Sequence, residues 1–216
     1  MNSPVIFIAG FVGFLLALTV HEYCHALTAY LLGDETAYRA GRLTLNPMAH
    51  LDPVGTVLIP LFGALSGLPV FGWAKPVPFN PYNLRQSKRD AILIAAAGPV
   101  SNYLMAILAL TVLRLLIGTA GLGLDNLLVL FMVSFAGVNI VLGTFNLIPV
   151  PPLDGSRFLQ AVLDAPKYRR TLYWLETRGN MLLIGLLLID YLLPGVAPLS
   201  RLLNGALGLF FGVFGM

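Results

Sequence analysis

The run PVIFIAGFVGFLLALTVHEYCHALTAYLL, residues 4–32, decides how the chain is read. Residues 5–20 carry no charge and residues 26–32 are nearly as apolar, yet between them stands His21-Glu22-Tyr23-Cys24-His25. The spacing predicts one helix over 4–32, about 42 Å long at 1.5 Å per residue, enough to cross a hydrocarbon core of about 30 Å. Each residue turns a helix by about 100°, so His21 and His25 leave one face, close enough to share a metal ion. Glu22, beside the first histidine, can reach a water on that ion. Two neutral imidazoles as ligands with a carboxylate as base is the H-E-x-x-H chemistry of zinc hydrolases. Counted back from Leu32, the pair lies about 10 to 17 Å from the helix end, inside the bilayer and nearer one surface.

The rest of the composition agrees with a membrane setting. Of 216 residues, 57% are hydrophobic and 11% charged, and the mean hydropathy is +0.83. Soluble domains run at about 25% charged. The expected fold is an all-α polytopic membrane protein with about five to six membrane helices. No segment is both long and polar, so 1–216 reads as a single membrane-embedded domain, a core of 4–155 followed by C-terminal helices in 156–216. The pI of 9.2 does not indicate nucleic acid, because Lys and Arg sit in short loops between apolar runs, where the positive-inside rule puts them. One cysteine, Cys24, excludes an internal disulfide and reads as a packing residue. The first apolar run lacks the basic start of a signal peptide and contains the histidine pair, so it is expected to stay attached.

Taken in order, residues 36–45 read as a short strand pair or extended ribbon closed by Asn46-Pro47. His50 and Asp52 follow in a loop. The apolar segment 53–73 is broken by Pro60, Gly63, Gly67 and Pro69, and a proline-rich connector covers 74–81. Further helices are expected at 90–117, which contains Gly98-Pro99 and Asn102, and at 127–148. A basic stretch with an amphipathic portion covers 157–178, and two apolar runs, 181–193 and 199–216, complete the chain.

Catalytic zinc usually has three protein ligands and one open position. Asp154 is the candidate third ligand: it follows three prolines at the end of a span, and Gly155 permits close backbone approach. A lone carboxylate there would otherwise read as a cap in the headgroup layer. Beside an H-E-x-x-H in the same chain, the ligand reading prevails.

These motifs resemble those of the site-2 proteases, which are intramembrane zinc metalloproteases. The resemblance rests on His21-Glu22-x-x-His25, on Gly98-Pro99 with Asn102, and on Asn146-x-x-Pro149-x-Pro151-x-Leu153-Asp154-Gly155. It implies that His21, His25 and Asp154 bind one Zn2+, that Glu22 activates water, and that Asn146 contacts substrate or the oxyanion. It further implies a transmembrane protein as substrate, with a regulatory membrane partner left open. Neither a PDZ insertion nor a cystathionine-synthase-type domain is visible, so a minimal member is expected. Residues 36–45 are expected to receive an unwound substrate as an added strand.

Topology follows from the ligand set. The C-terminal ends of the first span and of the 127–148 helix must share a membrane side, so the segment 53–73 is expected to dip in and return. With that path, 11 of the 13 Lys and Arg fall on one side, leaving Arg114 and Arg201 opposite; a crossing would divide them 9 to 4. The metal end then faces the cytoplasm of a bacterial plasma membrane, with the N-terminus outside. The competing reading is a non-proteolytic membrane protein, a metal transporter or an assembly factor. A transporter needs polar residues along a through-path, and the outer halves of these helices are nearly bare of them.

Overall fold

The computed structural model describes residues 4–66, 72–163 and 165–216. All regular structure among these is helical. The eight α-helices described are α1 (Pro4–Leu31), α2 (Thr36–Arg39), α3 (Ile59–Ser66), α4 (Ser87–Gly118), α5 (Leu127–Asn146), α6 (Gly155–Val162), α7 (Arg169–Leu192) and α8 (Pro198–Val213). Four are long and apolar enough to cross a membrane: Phe7–Leu31, Ser87–Gly118, Leu127–Asn146 and Pro166–Leu192. Their outer faces carry bare apolar side chains such as Leu104, Leu108, Leu127 and Ile184, which suits lipid and not water.

α1, α4 and α5 pack on one another and form the body of the protein. Their shared core holds Ala17, Ala106, Ala109 and Ala136 beside Leu110, Leu113, Phe135 and Ile140, all buried. Lipid tails are as apolar as leucine, so burial drives helix association weakly in a bilayer, and small residues that let backbones approach matter more. α8 lies against α5, and its Phe210 stacks on Tyr103 of α4 with ring centroids 5.3 Å apart. α7 is one continuous helix of 24 residues. Residues 169–178 of the basic stretch and the apolar run that follows are therefore successive turns of a single element, while the earlier part of the stretch lies in α6 and the turn at Pro166–Tyr168. Asp190 near its end accepts from the backbone N–H groups of Leu199 (2.8 Å) and Ser200 (3.0 Å), fastening the start of α8.

Residues 36–45 form no strand. Asp34 Oδ1 accepts from the Thr36 N–H at 3.1 Å and from its hydroxyl at 2.5 Å, the local bonding that starts a helical turn. Glu35 and Arg39, four apart, pair at 2.9 Å across that turn. Gly41, with φ of +69°, ends it in the left-handed conformation that closes helices. The Thr, Tyr and Leu content suggested a ribbon, but this local bonding outweighs it, and with it goes the expected route for strand addition.

Segment 53–73 rejoins the body where it left. A π-turn at Pro53–Leu58, capped by Asp52, runs into α3. Trp73 is already back beside the segment's start, its N–H bonded to Gly55 O at 3.2 Å and its carbonyl to the Thr56 hydroxyl at 2.8 Å. The breaks at Pro60 and Gly63 lie on the outgoing arm; Gly67 and Pro69 lie outside the described residues.

From there an extended strap runs past the C-terminal end of α1. Lys75 N–H bonds His50 O at 3.0 Å, and Asn80 N–H bonds Asp34 Oδ2 at 2.6 Å. Asp34 is fully buried and also accepts from Asn83 Nδ2 at 2.8 Å, so one carboxylate ties the strap to the end of α1. Burial opposes its ionisation, but the donors of Thr36, Asn83 and Asn80 outweigh that and lower its pKa. A lowered folded pKa means that Asp34 stabilises fully above about pH 4, and that this contribution fades as pH falls through the folded value. Asp34→Asn sets an amide N–H donor against a donor, either the Asn80 N–H or those of Thr36 and Asn83, and is expected to cost about 1–3 kcal/mol, read as a lower Tm in detergent.

Candidate metal centre

The metal donors come from two places in the chain. α1 carries His21 and His25 one turn apart, their Nε2 atoms 3.0 Å from each other. α5 ends at Asn146, and the loop after it brings Asp154 back so that Oδ2 lies 3.2 Å from both nitrogens. Gly155 makes that loop possible: a Cβ there would fall 2.2 Å from Leu147 O. His21 and His25 are buried, and Asp154 is half-buried.

Hydrogen bonds behind the rings decide what the nitrogens offer. His25 Nδ1 lies 2.6 Å from Ile94 O, and a carbonyl only accepts, so Nδ1 carries the proton. For His21 the same conclusion comes through a relay. Asn139 on α5 donates its amide to Phe135 O at 2.9 Å, which turns its Oδ1 toward Asn102. Asn102 on α4 donates to that oxygen at 3.0 Å and to Ala17 O at 3.3 Å. Its own Oδ1 is thereby left to accept from His21 Nδ1, 2.6 Å away. Both Nε2 atoms then present lone pairs to each other and to a carboxylate oxygen. Asp154 Oδ2 is buried and has no hydrogen-bond donor. Three acceptors converge with no proton among them, an arrangement that repels itself unless a cation sits between. The set of two imidazoles and one carboxylate is one that zinc takes in hydrolytic sites.

α4 closes the site from the side. A Cβ on Gly98 would fall 2.4 Å from His25 Nε2 and 2.6 Å from His21 Nε2, so only hydrogen fits between the helix and the donors. Pro99 follows, buried inside a helix, where it leaves the carbonyl one turn back without its usual partner.

Glu22 is 8% exposed and within electrostatic reach of His25 and Arg42. Asn146 is partly buried with its amide turned back on its own helix, donating to Leu142 O at 3.0 Å. His50 is fully buried in its loop, with Nε2 2.8 Å from Thr44 O, and stands outside the donor cluster. Asn139 is a functional residue that spacing did not point to. The available signal was its chemistry, a lone amide in the middle of an apolar span. Asn102→Ala is expected to free the His21 ring and weaken metal affinity about 10- to 100-fold, measurable by competition with a chromophoric chelator.

Residues 121–189 match Peptidase family M50. YwhC of Bacillus subtilis (strain 168), provisionally named a zinc metalloprotease, is 38% identical over 172 residues, covering 76% of this chain and 73% of YwhC. This chain belongs to peptidase family M50, the site-2 proteases. Rip2 of Mycolicibacterium smegmatis, whose provisional name is also zinc metalloprotease, is 30% identical over 185 residues, 85% of this chain and 68% of Rip2. Rip3 of Mycobacterium tuberculosis aligns at 30% over 154 residues, 71% of this chain but 30% of its own length. No solved structure matches. For this site-2 protease the family gives a metallopeptidase of the membrane, and the converging His21, His25 and Asp154 are the residues that could hold its metal.

Proposed function

We infer that this site-2 protease is an intramembrane zinc endopeptidase that hydrolyses peptide bonds of transmembrane proteins near the cytoplasmic side. The observation that carries this reading is the convergence of two unprotonated imidazole nitrogens and a donor-less carboxylate oxygen at 3.0–3.2 Å, inside a bundle with lipid-facing sides. His21, His25 and Asp154 would hold one Zn2+ per chain. When bound, zinc supplies Lewis acidity and lowers the pKa of a coordinated water to about 7.

Glu22 does the proton work. Its place next to His21 lets the carboxylate take a proton from the attacking water and later return it to the leaving amine. Gly98 lets α4 pack directly against the donors. Asn146 is the donor for the developing oxyanion, a role that requires its amide to leave Leu142 O when substrate enters. Relatives in bacteria and the distribution of Lys and Arg support a plasma-membrane protein with its N-terminus outside and its metal end toward the cytoplasm. The return of Trp73 to Gly55 supports the same topology, since a crossing there would put the C-terminal end of α5 on the other side.

Glu22→Gln tests the assignment. The variant is expected to bind one zinc as the unaltered protein does and to cleave a transmembrane peptide at a rate below detection. Cleavage surviving in Glu22→Gln would remove Glu22 as the base.

A further inference from the structure

Arg42 takes no part in the hydrolytic reading and is placed at a cost. It is 5% exposed, in the loop after α2 and outside the spans. One of its groups is used: Nη2 donates to the Lys75 carbonyl of the strap. Its Nε is buried and has no hydrogen-bond partner. Among the described residues no carboxylate forms an ion pair with it; Glu22 is within electrostatic reach but not in contact. A buried guanidinium with neither counter-ion nor a full set of acceptors is strongly unfavourable, and arginine cannot escape by losing its proton.

The same guanidinium lines an open groove of about 330 Å³ whose other walls are Ala40, Lys75, Pro76 and Pro78. Its backbone offers little to a ligand. The prolines have no N–H, the Ala40 N–H bonds Thr36 O at 3.1 Å, and the Lys75 N–H is taken by His50 O. The side-chain donors the groove offers are therefore cationic, a planar guanidinium and an ammonium. That combination suits a carboxylate, which a guanidinium grips through two parallel bonds. Glu22 acts electrostatically on Arg42, and polypeptide approaching that base passes the groove if the peptidase reading holds.

We propose that the Arg42–Lys75 groove is a carboxylate-binding subsite for the polypeptide being cut, filled by an acidic substrate side chain or by the carboxylate that cleavage creates. The subsite rests on the peptidase reading, but its test does not depend on turnover.

Binding is measured on the full-length Glu22→Gln protein in nanodiscs of uncharged lipid. The probes are fluorescent transmembrane peptides with one Glu, or a Gln in its place, stepped along the cytoplasmic flank and amidated at the C-terminus. In a second set, a free C-terminal carboxylate replaces the amide at each length. At one register the carboxylate peptide is expected to bind about tenfold tighter than its neutral twin. Tighter binding in the Glu set assigns the subsite to a substrate side chain, and tighter binding in the second set assigns it to the product terminus. Arg42→Gln, with zinc content as the check on folding, is expected to bring the ratio to one. Lys75→Gln, at an exposed rim position, is expected to reduce it and serves if Arg42→Gln does not fold. Equal affinity at every register, a ratio unchanged in both variants, or displacement by glycerol phosphate in preference to the peptides would overturn the subsite. If the ratio holds while the unaltered protein cleaves nothing, the subsite stands and the peptidase reading falls.

Discussion

Asp154→Ala is expected to lose zinc outright, with an affinity drop larger than the roughly 10- to 100-fold of an outer-shell loss, and to cleave nothing. The carboxylate is the single donor from outside α1, lying 3.2 Å from both imidazoles. Removing it leaves two ligands on one helix turn, too few for a hydrolytic zinc site. The bundle itself should survive, because His21 and His25 are held from behind by Asn102 and the Ile94 carbonyl. The distinguishing readout is thermal. Zinc stabilises only the folded state it binds, so a chelator should lower Tm of the unaltered protein and leave that of Asp154→Ala where it is. A metal content of one in Asp154→Ala would disprove the ligand set.

Gly98→Ala is expected to be nearly as damaging through a single methyl group. The added carbon would fall 2.4 Å and 2.6 Å from the two Nε2 atoms, well inside contact distance. Either α4 backs away, which breaks the Asn102–His21 and Ile94–His25 bonds together, or the carbon occupies the space beside the donors. Both paths predict loss of zinc and of cleavage, with the helical circular dichroism preserved. Gly143→Ala is the control. Its added carbon would meet Pro99 O and Asn102 Cβ at 3.3 Å, a contact relieved by a small shift, so zinc should remain near one per chain.

What could be read from the chain was local geometry and scarcity. His21 and His25 are one turn apart on any helix, and Asp154 was conspicuous because few carboxylates border an apolar run. The backbone closeness expected at Gly155 is there, against Leu147 O. Gly98-Pro99 was legible as a packing point but not as the wall of the metal centre, since that needs the crossing position of α4 on α1. Asn139 was hidden for a similar reason: the rotation of α5 that points it at Asn102 is set by the whole three-helix core. The ribbon expected at 36–45 failed where two local signals competed, and the Asp34–Thr36 bonds with the Glu35–Arg39 pair prevailed over the Thr, Tyr and Leu content. At 169–192 the change from basic to apolar looked like a boundary. It is instead one helix, which composition windows divide and backbone hydrogen bonding does not.

X-ray absorption at the zinc edge of the purified protein tests the central claim most directly. One zinc per chain with two histidine nitrogens at about 2.0–2.1 Å and a carboxylate oxygen at about 2.0–2.2 Å is the expected result. A shell containing sulfur, which could come only from Cys24 or a methionine, or a zinc whose shell is unchanged in Asp154→Ala, would contradict it.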